Sequence, residues 1–368
     1  MSLLLNMKEL KERRILILYT GGTIGMKPSV KLGGLSPGSM EDLQKNLPEL
    51  QELPYQLEWE EFRFEGELID SSNANIDYYN ELGKKLAEQH DKYDGIVVVF
   101  GTDTMGPSAA AISYQLEGLK TPIVFTGSME PNTKEGSDGP QNMLDAVNIA
   151  AQSGNEISAI NEVTVCMHGK LFKGVHARKY SARSESRAAF DGVGEDPIAE
   201  INAEGIKINN NTIQAKDENQ KFEFHELKKP DIVPIAVCSE FGGSKKSKLR
   251  VATDADAILL YDLPKEQLLG TNSQLYKDIK IIAPDKIIFF TGKTEITDPK
   301  WVRLEAVPDF LQIMAKANYV LSRANNDDEI RLLAEGNLRG EGKGPLLNEG
   351  EMLSEMRREK EVRVLDKR

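Results

Sequence analysis

The stretch RILILYTGGTIGM, Arg14 to Met26, decides how this chain of 368 residues is read. Arg14–Tyr19 is a nearly saturated apolar run of strand length. A run without polar alternation belongs in a sheet covered on both faces. It ends in Thr20-Gly21-Gly22-Thr23. Two glycines supply the turn a strand end needs. A turn does not need a hydroxyl on each side of the pair, so Thr23 is a candidate for chemistry as well as for geometry.

The pattern recurs. GIVVVF (95–100) ends in GTDT, PIVFTG (122–127) runs into a Pro/Gly/Ser loop, and EVTVCM (162–167) is a fourth apolar run. Between them, Ile76, Tyr79, Leu82 and Leu86 have helical spacing over 76–90, and 105–118 and 138–151 also read as helices. Short apolar strands alternating with helices are the βαβ signature of a parallel sheet, whose ligands bind at the carboxyl ends of the strands. Both Gly-Thr turns lie at such an end. The stretch KPSVKLGGLSPGSM after Met26 reads as a mobile loop.

Farther on, the charged stretch QAKDENQKFEFHELKKPD (214–231) reads as a link to a second domain. VPIAVC, DAILLYDL and DKIIFF read as further buried strands, with helices at about 307–323 and in NDDEIRLLAEGNLRGEG. EMLSEMRREKEVRVLDKR reads as an exposed charged tail. The expected architecture is α/β. A larger N-terminal domain (1–213) holds a doubly wound, mostly parallel sheet, and a linker (214–231) leads to a smaller C-terminal α/β domain (232–345) and a tail (346–368).

Composition narrows the function. Hydrophobic residues make up 40% and charged ones 28%, as in an ordinary soluble globular protein. No apolar run approaches the roughly 18 residues of a membrane span, and MSLLLNMKEL lacks the basic start of a signal peptide. The two cysteines, Cys166 and Cys238, sit in apolar runs and read as buried thiols, so a cytoplasmic location is expected. A net charge of −12 repels phosphate backbones, which argues against a nucleic-acid partner and leaves room for a small zwitterion in a local cationic pocket.

Several familiar chemistries fail on spacing. His90, His168, His176 and His225 form no HExxH pair and no cluster with cysteine, so no metal site is expected. No serine sits in G-x-S-x-G. TGKT (291–294) lacks the glycine a P-loop needs, since Ile287 stands there, and GGTIG is not G-x-G-x-x-G. No cofactor is implied. What remains is polar strand-end loops. Gly21-Gly22 lets a substrate approach backbone N–H groups beside Thr23. In LIDSSNAN, Asp70, Ser71 and Ser72 read either as ligand donors or, with Asn73, as a helix cap. Thr102 and Asp103 of GTDT read either as site residues or as an Asx-type turn. A threonine hydroxyl is a weak nucleophile, and without a suitably placed histidine its activator would be a desolvated lysine beside a carboxylate and a hydroxyl.

TGGTIGM, GTDTM and TGSMEPNTKEGSDGPQNMLDAVNIA together resemble the bacterial-type L-asparaginase/glutaminase family, most closely its cytoplasmic type I branch. The likeness runs from Arg14 to Ile201 and returns in NYVLSRANNDDEIRLLAEGNLRGEG. It implies that Thr23 is the acyl-accepting nucleophile of an enzyme turning asparagine into aspartate and ammonia. It implies that Thr102 and Asp103 pair with Lys179, a few residues past Gly174 in KLFKGVHARKYSA, while Lys170 and Lys173 are solvated. Asp70, Ser71 and Ser72 would hold the amino-acid head group, Asp103 its ammonium, and the Gly101 N–H and the loop at Ser128 would complete the pocket. Homodimers or homotetramers are implied.

Two departures stand out. The family's loop tyrosine, in a G-Y-x-P context, is replaced by Leu35 of GGLSPG, which implies a slower chemical step unless Tyr55 or Tyr78 reaches Thr23. The Y-G-x-G-N-like turn has no match in LLYDLPKEQLLGTN, so residues 205–300 carry little of the resemblance. The rival readings are a glutamine-acting amidase of a tRNA-dependent amidotransferase and an amino-acid-binding sensor without turnover.

Overall fold

Arg14–Tyr19 is strand β1, exposed only at Arg14. The computed structural model that contains it describes residues 7–29, 34–152, 160–180, 189–209, 220–237, 249–250, 252–261, 273–291, 296–305, 309–342 and 345–365. The chain divides into two compact units, Met1–Glu226 and Leu227–Arg368. In the first, helix α1 (Met7–Glu12) precedes β1, and a short hairpin of β2 (Lys27–Ser29) and β3 (Gly34–Ser36) follows it. Next come α2 (Met40–Lys45), β4 (Gln56–Glu61), α3 (Ile76–Gln89) and β5 (Gly95–Val99). Then run α4 (Met105–Gln115), β6 (Leu116–Glu117), β7 (Ile123–Thr126), α5 (Gly139–Ala150) and β8 (Val163–Met167). Strands β9 (Lys170–Lys173), β10 (Ala177–Lys179), β11 (Phe190–Gly192), β12 (Ala199–Asn202), β13 (Gly205–Ile208) and β14 (Glu223–Phe224) complete the unit.

The main sheet has the order β13-β12-β9-β8-β7-β5-β1-β4. Strands β4, β1, β5, β7 and β8 are parallel, and β9, β12 and β13 continue antiparallel. The saturation of β1 follows from its two covered faces. Leu16 and Leu18 pack with Val98, Phe125 and Val165 under Leu82 of α3 and Ile112 of α4. Ile15, Ile17 and Tyr19 pack on the other face with Val97, Val99 and Val124, against Leu43 of α2 and Met143 and Val147 of α5. Each fully buried side chain of this size stabilises by about 1.5–3 kcal/mol relative to exposure. From β1 the chain passes to β4 on one side and then to β5 on the other, so the crevice between the carboxyl ends of β1 and β5 is a topological switch point.

The loop expected after Met26 is, where described, the β2–β3 hairpin, with Pro28 opposite Leu35. The charged stretch 214–231 is more than a connection. Its residues 214–219 lie outside the described ones, but β14 pairs with β6 of the first unit, and the division between units falls after Glu226.

The second unit contains the parallel strands β15 (Ile232–Ala236), β16 (Ala257–Tyr261), β17 (Ile287–Phe290) and β18 (Trp301–Arg303), in that spatial order. Its helices are α6 (Gln274–Ile282), α7 (Phe310–Arg323), α8 (Asp327–Glu335) and α9 (Glu349–Leu365). Inside it, Lys316 and Glu341 form a wholly buried ion pair at 2.7 Å. Burial opposes ionisation of Glu341, yet Lys316 and the Arg339 and Leu338 N–H groups hold its carboxyl below the usual range. The last stretch is largely exposed, as its charges predict, but it is the helix α9 with a few anchoring contacts. Glu349 is buried and accepts from Tyr319 and Arg339, Leu353 is buried, and Arg357 pairs with Glu329 on α8.

Cys166 is a buried free thiol, pushed well up by burial, and Cys238 lies outside the described residues. Among the described residues no helix is long and apolar enough to cross a membrane. One steric detail links fold to site. A Cβ at Gly106, in the first turn of α4, would lie 2.2 Å from the Ala177 carbonyl oxygen, so glycine lets β10 lie directly on α4. Helix propensity alone favours Gly106→Ala by about 1 kcal/mol. The expected outcome is the reverse, a loss of about 1–3 kcal/mol from overpacking, read from a denaturant melt.

Candidate active site

The site grows from the loops at the switch point. After β1, Thr20 donates its backbone N–H and its hydroxyl to the Val99 carbonyl at 3.1 and 2.9 Å, fixing the end of β1 to the end of β5. Gly22 follows with φ 94°, where a side chain is strained. A Cβ there would also lie 2.8 Å from the Gly101 nitrogen. The two strand-end loops therefore meet backbone to backbone. Thr23 begins a single 3-10 turn, Thr23–Gly25, and the Asn132 N–H holds that turn at the Ile24 carbonyl, 3.1 Å away. Thr23 is half-buried.

Thr102 and Asp103 follow Gly101 at the end of β5. Lys179 Nζ donates to Thr102 Oγ1 at 2.8 Å and to Asp103 Oδ1 at 2.7 Å. Thr102 is buried and the Lys179 side chain nearly so, but Asp103 is 76% exposed. The lysine arrives on β10, which pairs with β11 and lies on α4. A cation, a buried hydroxyl and an outward-facing carboxylate thus share one point beside the Gly22–Gly101 contact. Lys173 is a correction to the sequence reading. It is not solvated but 4% exposed, 3.6 Å from Glu195, which also lies 3.7 Å from His176 Nε2. Lys170 is exposed.

Ser71 also reaches this point. Its Oγ lies 2.4 Å from where a Gly101 Cβ would stand, and its carbonyl accepts from the Thr104 hydroxyl at 2.9 Å. The cap of α3 is Asn75, whose side chain accepts from the Tyr78 N–H at 3.0 Å, so Ser71, Ser72 and Asn73 are not that cap. Asp70 and Ser72 satisfy each other. The Asp70 carboxylate accepts from the Ser72 hydroxyl at 2.7 Å and its N–H at 2.8 Å, and those two bonds, the hydroxyl first, hold it below the usual carboxylate range. Ser128 is buried and donates to the Glu130 carbonyl at 2.5 Å, so it contributes its loop rather than a free hydroxyl. Asp138 fixes that loop by accepting from the Met129 and Glu130 N–H groups.

The other histidines stand in structural surroundings. His90 stacks on Phe222, His176 Nδ1 lies 2.9 Å from the Val193 carbonyl oxygen, His225 bonds Glu117, and His168 occupies the β8–β9 turn with φ 59°. Neither suspected tyrosine reaches Thr23. Tyr55 donates to Asn148 at 3.1 Å, and Tyr78 is buried with a bond to Thr20, its phenol pushed up chiefly by burial. Leu35 is 45% exposed on β3. Sequence reasoning missed Tyr19, whose hydroxyl lies under the Thr23–Gly25 turn. Its signal was faint, since it continues the apolar alternation of Ile15 and Ile17.

Comparisons with known proteins agree with this geometry. The family model "Asparaginase, N-terminal" matches residues 14–214. The chain belongs to the asparaginase family. It is 28% identical to L-asparaginase 1 of Escherichia coli K12 over 350 residues, covering 90% of this chain and 98% of that protein. It is 32% identical to an L-asparaginase of Dirofilaria immitis over 239 residues, 59% of this chain but only 39% of that longer protein. L-asparaginase I of Vibrio cholerae superposes with a TM-score of 0.75 at 25% identity, covering 90% of this chain and all of that one.

Lys179→Met should lower ammonia release from asparagine or glutamine by roughly 10²-fold, the usual size of an acid–base contribution. Lys170→Met, an exposed change on β9, should leave the rate unaltered, and steady-state assays of both variants check the pair.

Proposed function

We propose that the protein is an L-asparaginase acting through a threonine acyl-enzyme. The observation that carries the reading is the Lys179–Thr102–Asp103 constellation, built one residue from the Gly22–Gly101 backbone contact that Thr23 follows on the other loop. The E. coli protein named L-asparaginase 1, matched over almost its whole length, supports asparagine as the substrate.

In the first half-reaction the Thr23 oxygen attacks the carbon of the substrate's side-chain amide. The hydroxyl proton passes toward Thr102 and Lys179, and backbone N–H groups at the glycine turn stabilise the oxyanion. Collapse expels ammonia, the leaving nitrogen taking up a proton, and leaves an ester on Thr23. In the second, water activated at the same pair attacks the ester and frees aspartate. Asp103, exposed toward the rim, meets the substrate ammonium, and the Ser71 hydroxyl and Gly101 N–H meet its carboxylate. The rate comes from positioning, with the head-group contacts holding the amide against Thr23. The same reading makes the enzyme cytoplasmic and homo-oligomeric.

Thr23→Ala should abolish turnover while aspartate binding, followed by thermal shift, persists. A variant keeping more than a few per cent of the rate would remove Thr23 from the nucleophile's role. Because leucine stands where the family has its loop tyrosine, the chemical step should be slow. Leu35→Tyr should raise kcat by about 10-fold, or roughly 1.4 kcal/mol of transition-state stabilisation, with little change in affinity. An unmodified protein already turning over quickly would refute that expectation.

A further inference from the structure

We infer that Tyr19 is a positioning residue for the nucleophile: its phenol is the floor on which the Thr23–Gly25 turn rests, and its hydroxyl ties that turn to Gly38. The inference rests on the reading of Thr23 given above.

Tyr19 closes β1 and is 1% exposed. Its hydroxyl donates to the Gly38 carbonyl at 3.1 Å. Gly25 lies directly against it, since a Cβ there would stand 2.0 Å from the phenol oxygen and 2.9 Å from the ring carbon that bears it. The backbone on the far side of the β2–β3 hairpin closes the contact, because a Cβ at Gly38 would be 2.1 Å from the Gly25 carbonyl oxygen. Phenol, Gly25 and Gly38 are thus packed on one another with no side chain between them. Thr23 stands two residues before Gly25 in the same turn, so the height of that turn above β1 is set by the phenol oxygen.

The core does not need this oxygen. The ring packs among Ile15, Ile17 and Leu43, and phenylalanine would fill the same space. Burial, with the negative charges of Glu61 on β4 and Asp42 on α2, pushes the phenol up to about 12, so it stays a donor throughout the neutral range. Without the hydroxyl, the buried Gly38 carbonyl loses this donor and the turn loses its support.

The test is a double-mutant cycle between Tyr19→Phe and Gly25→Ala, with asparagine hydrolysis, thermal melts and aspartate binding measured on each purified variant. Misplacing a reacting group by about 1 Å can cost on the order of 10²-fold. Tyr19→Phe is expected to fold, to bind aspartate within about threefold of wild type, and to lose about 10- to 100-fold in kcat. Gly25→Ala should cost more in the wild-type background than in Tyr19→Phe, where the oxygen that a new Cβ would strike is gone. A wild-type kcat for Tyr19→Phe, an equal Gly25→Ala loss in both backgrounds, or a Tyr19→Phe chain that does not fold would each overturn the inference. Thr23→Ala run alongside separates the two readings. If it is inactive while Tyr19→Phe is fully active, only the positioning role falls, and if it is active the nucleophile reading falls first.

Discussion

The site depends on the contact of Gly22 with Gly101. Parallel neighbours lie about 4.8 Å apart, and at a switch point their following loops diverge to opposite sides of the sheet. Side chains at the head of that crevice would hold the loops apart. Here neither loop carries one, and the backbones touch. Thr23 follows one glycine, Thr102 follows the other, and the Ser71 hydroxyl occupies the space beside Gly101 that a Cβ would fill. Three hydroxyls from three loops thereby come within one residue of a single contact. The flanking bonds, Thr20 to Val99 and Asn132 to Ile24, keep it from opening.

Charge gives the contact its direction. The chain carries a net −12, yet the group fixed at the centre is a cation. The Lys179–Asp103 pair adds little to stability, because Asp103 is mostly in water, where such pairs contribute about 0–1 kcal/mol. Its value lies in aim. One carboxylate oxygen holds the lysine beside buried Thr102, and the rest of the group is exposed, as the proposed reading of Asp103 as the ammonium's partner requires. On the proposed reading the acidic surface turns away polyanions and the pocket takes a zwitterion.

The strands were legible because physics left few choices. A run like Ile15–Tyr19 has no polar face to turn to water, so it predicts a sheet covered on both sides, and Leu16 and Ile17 lie on opposite faces as alternation requires. The Gly-Thr turns were legible as turns. Their function was not, because Asp103 and Ser71 have equally ordinary readings as turn and cap residues. Lys179 could be separated from Lys170 and Lys173 only by resemblance, since spacing along a hairpin does not say which amine points where. Lys173 was misjudged because its partner Glu195 is distant in sequence, and a lysine is buried only where a carboxylate comes to meet it. The same reason hid the anchoring of Glu349 and Arg357 on α9, whose partners Tyr319 and Glu329 are distant in sequence, while most of the helix's other charges are exposed.

The replacement of the family's loop tyrosine by Leu35 has to be weighed against the partners of Tyr19, Tyr55 and Tyr78. Tyr55 donates to Asn148, Tyr78 bonds Thr20, and Tyr19 donates to Gly38. Each is partly or wholly buried and its phenol is pushed upward, chiefly by that burial. A phenol already bonded inside the protein and reluctant to ionise cannot exchange protons with a neighbouring hydroxyl without first giving up its partner. Leu35 is exposed on β3, and its side chain has nothing to donate. On the proposed reading the Thr23 proton then has one route, through Thr102 to Lys179, and the whole acid–base burden falls on a lysine whose position depends on a glycine in α4 that lets β10 approach. On that reading the nucleophile and its activator are placed by unrelated steric devices, a phenol beneath one and a missing Cβ beside the other, and both devices are anchored to β1, β5 and the helix that follows β5.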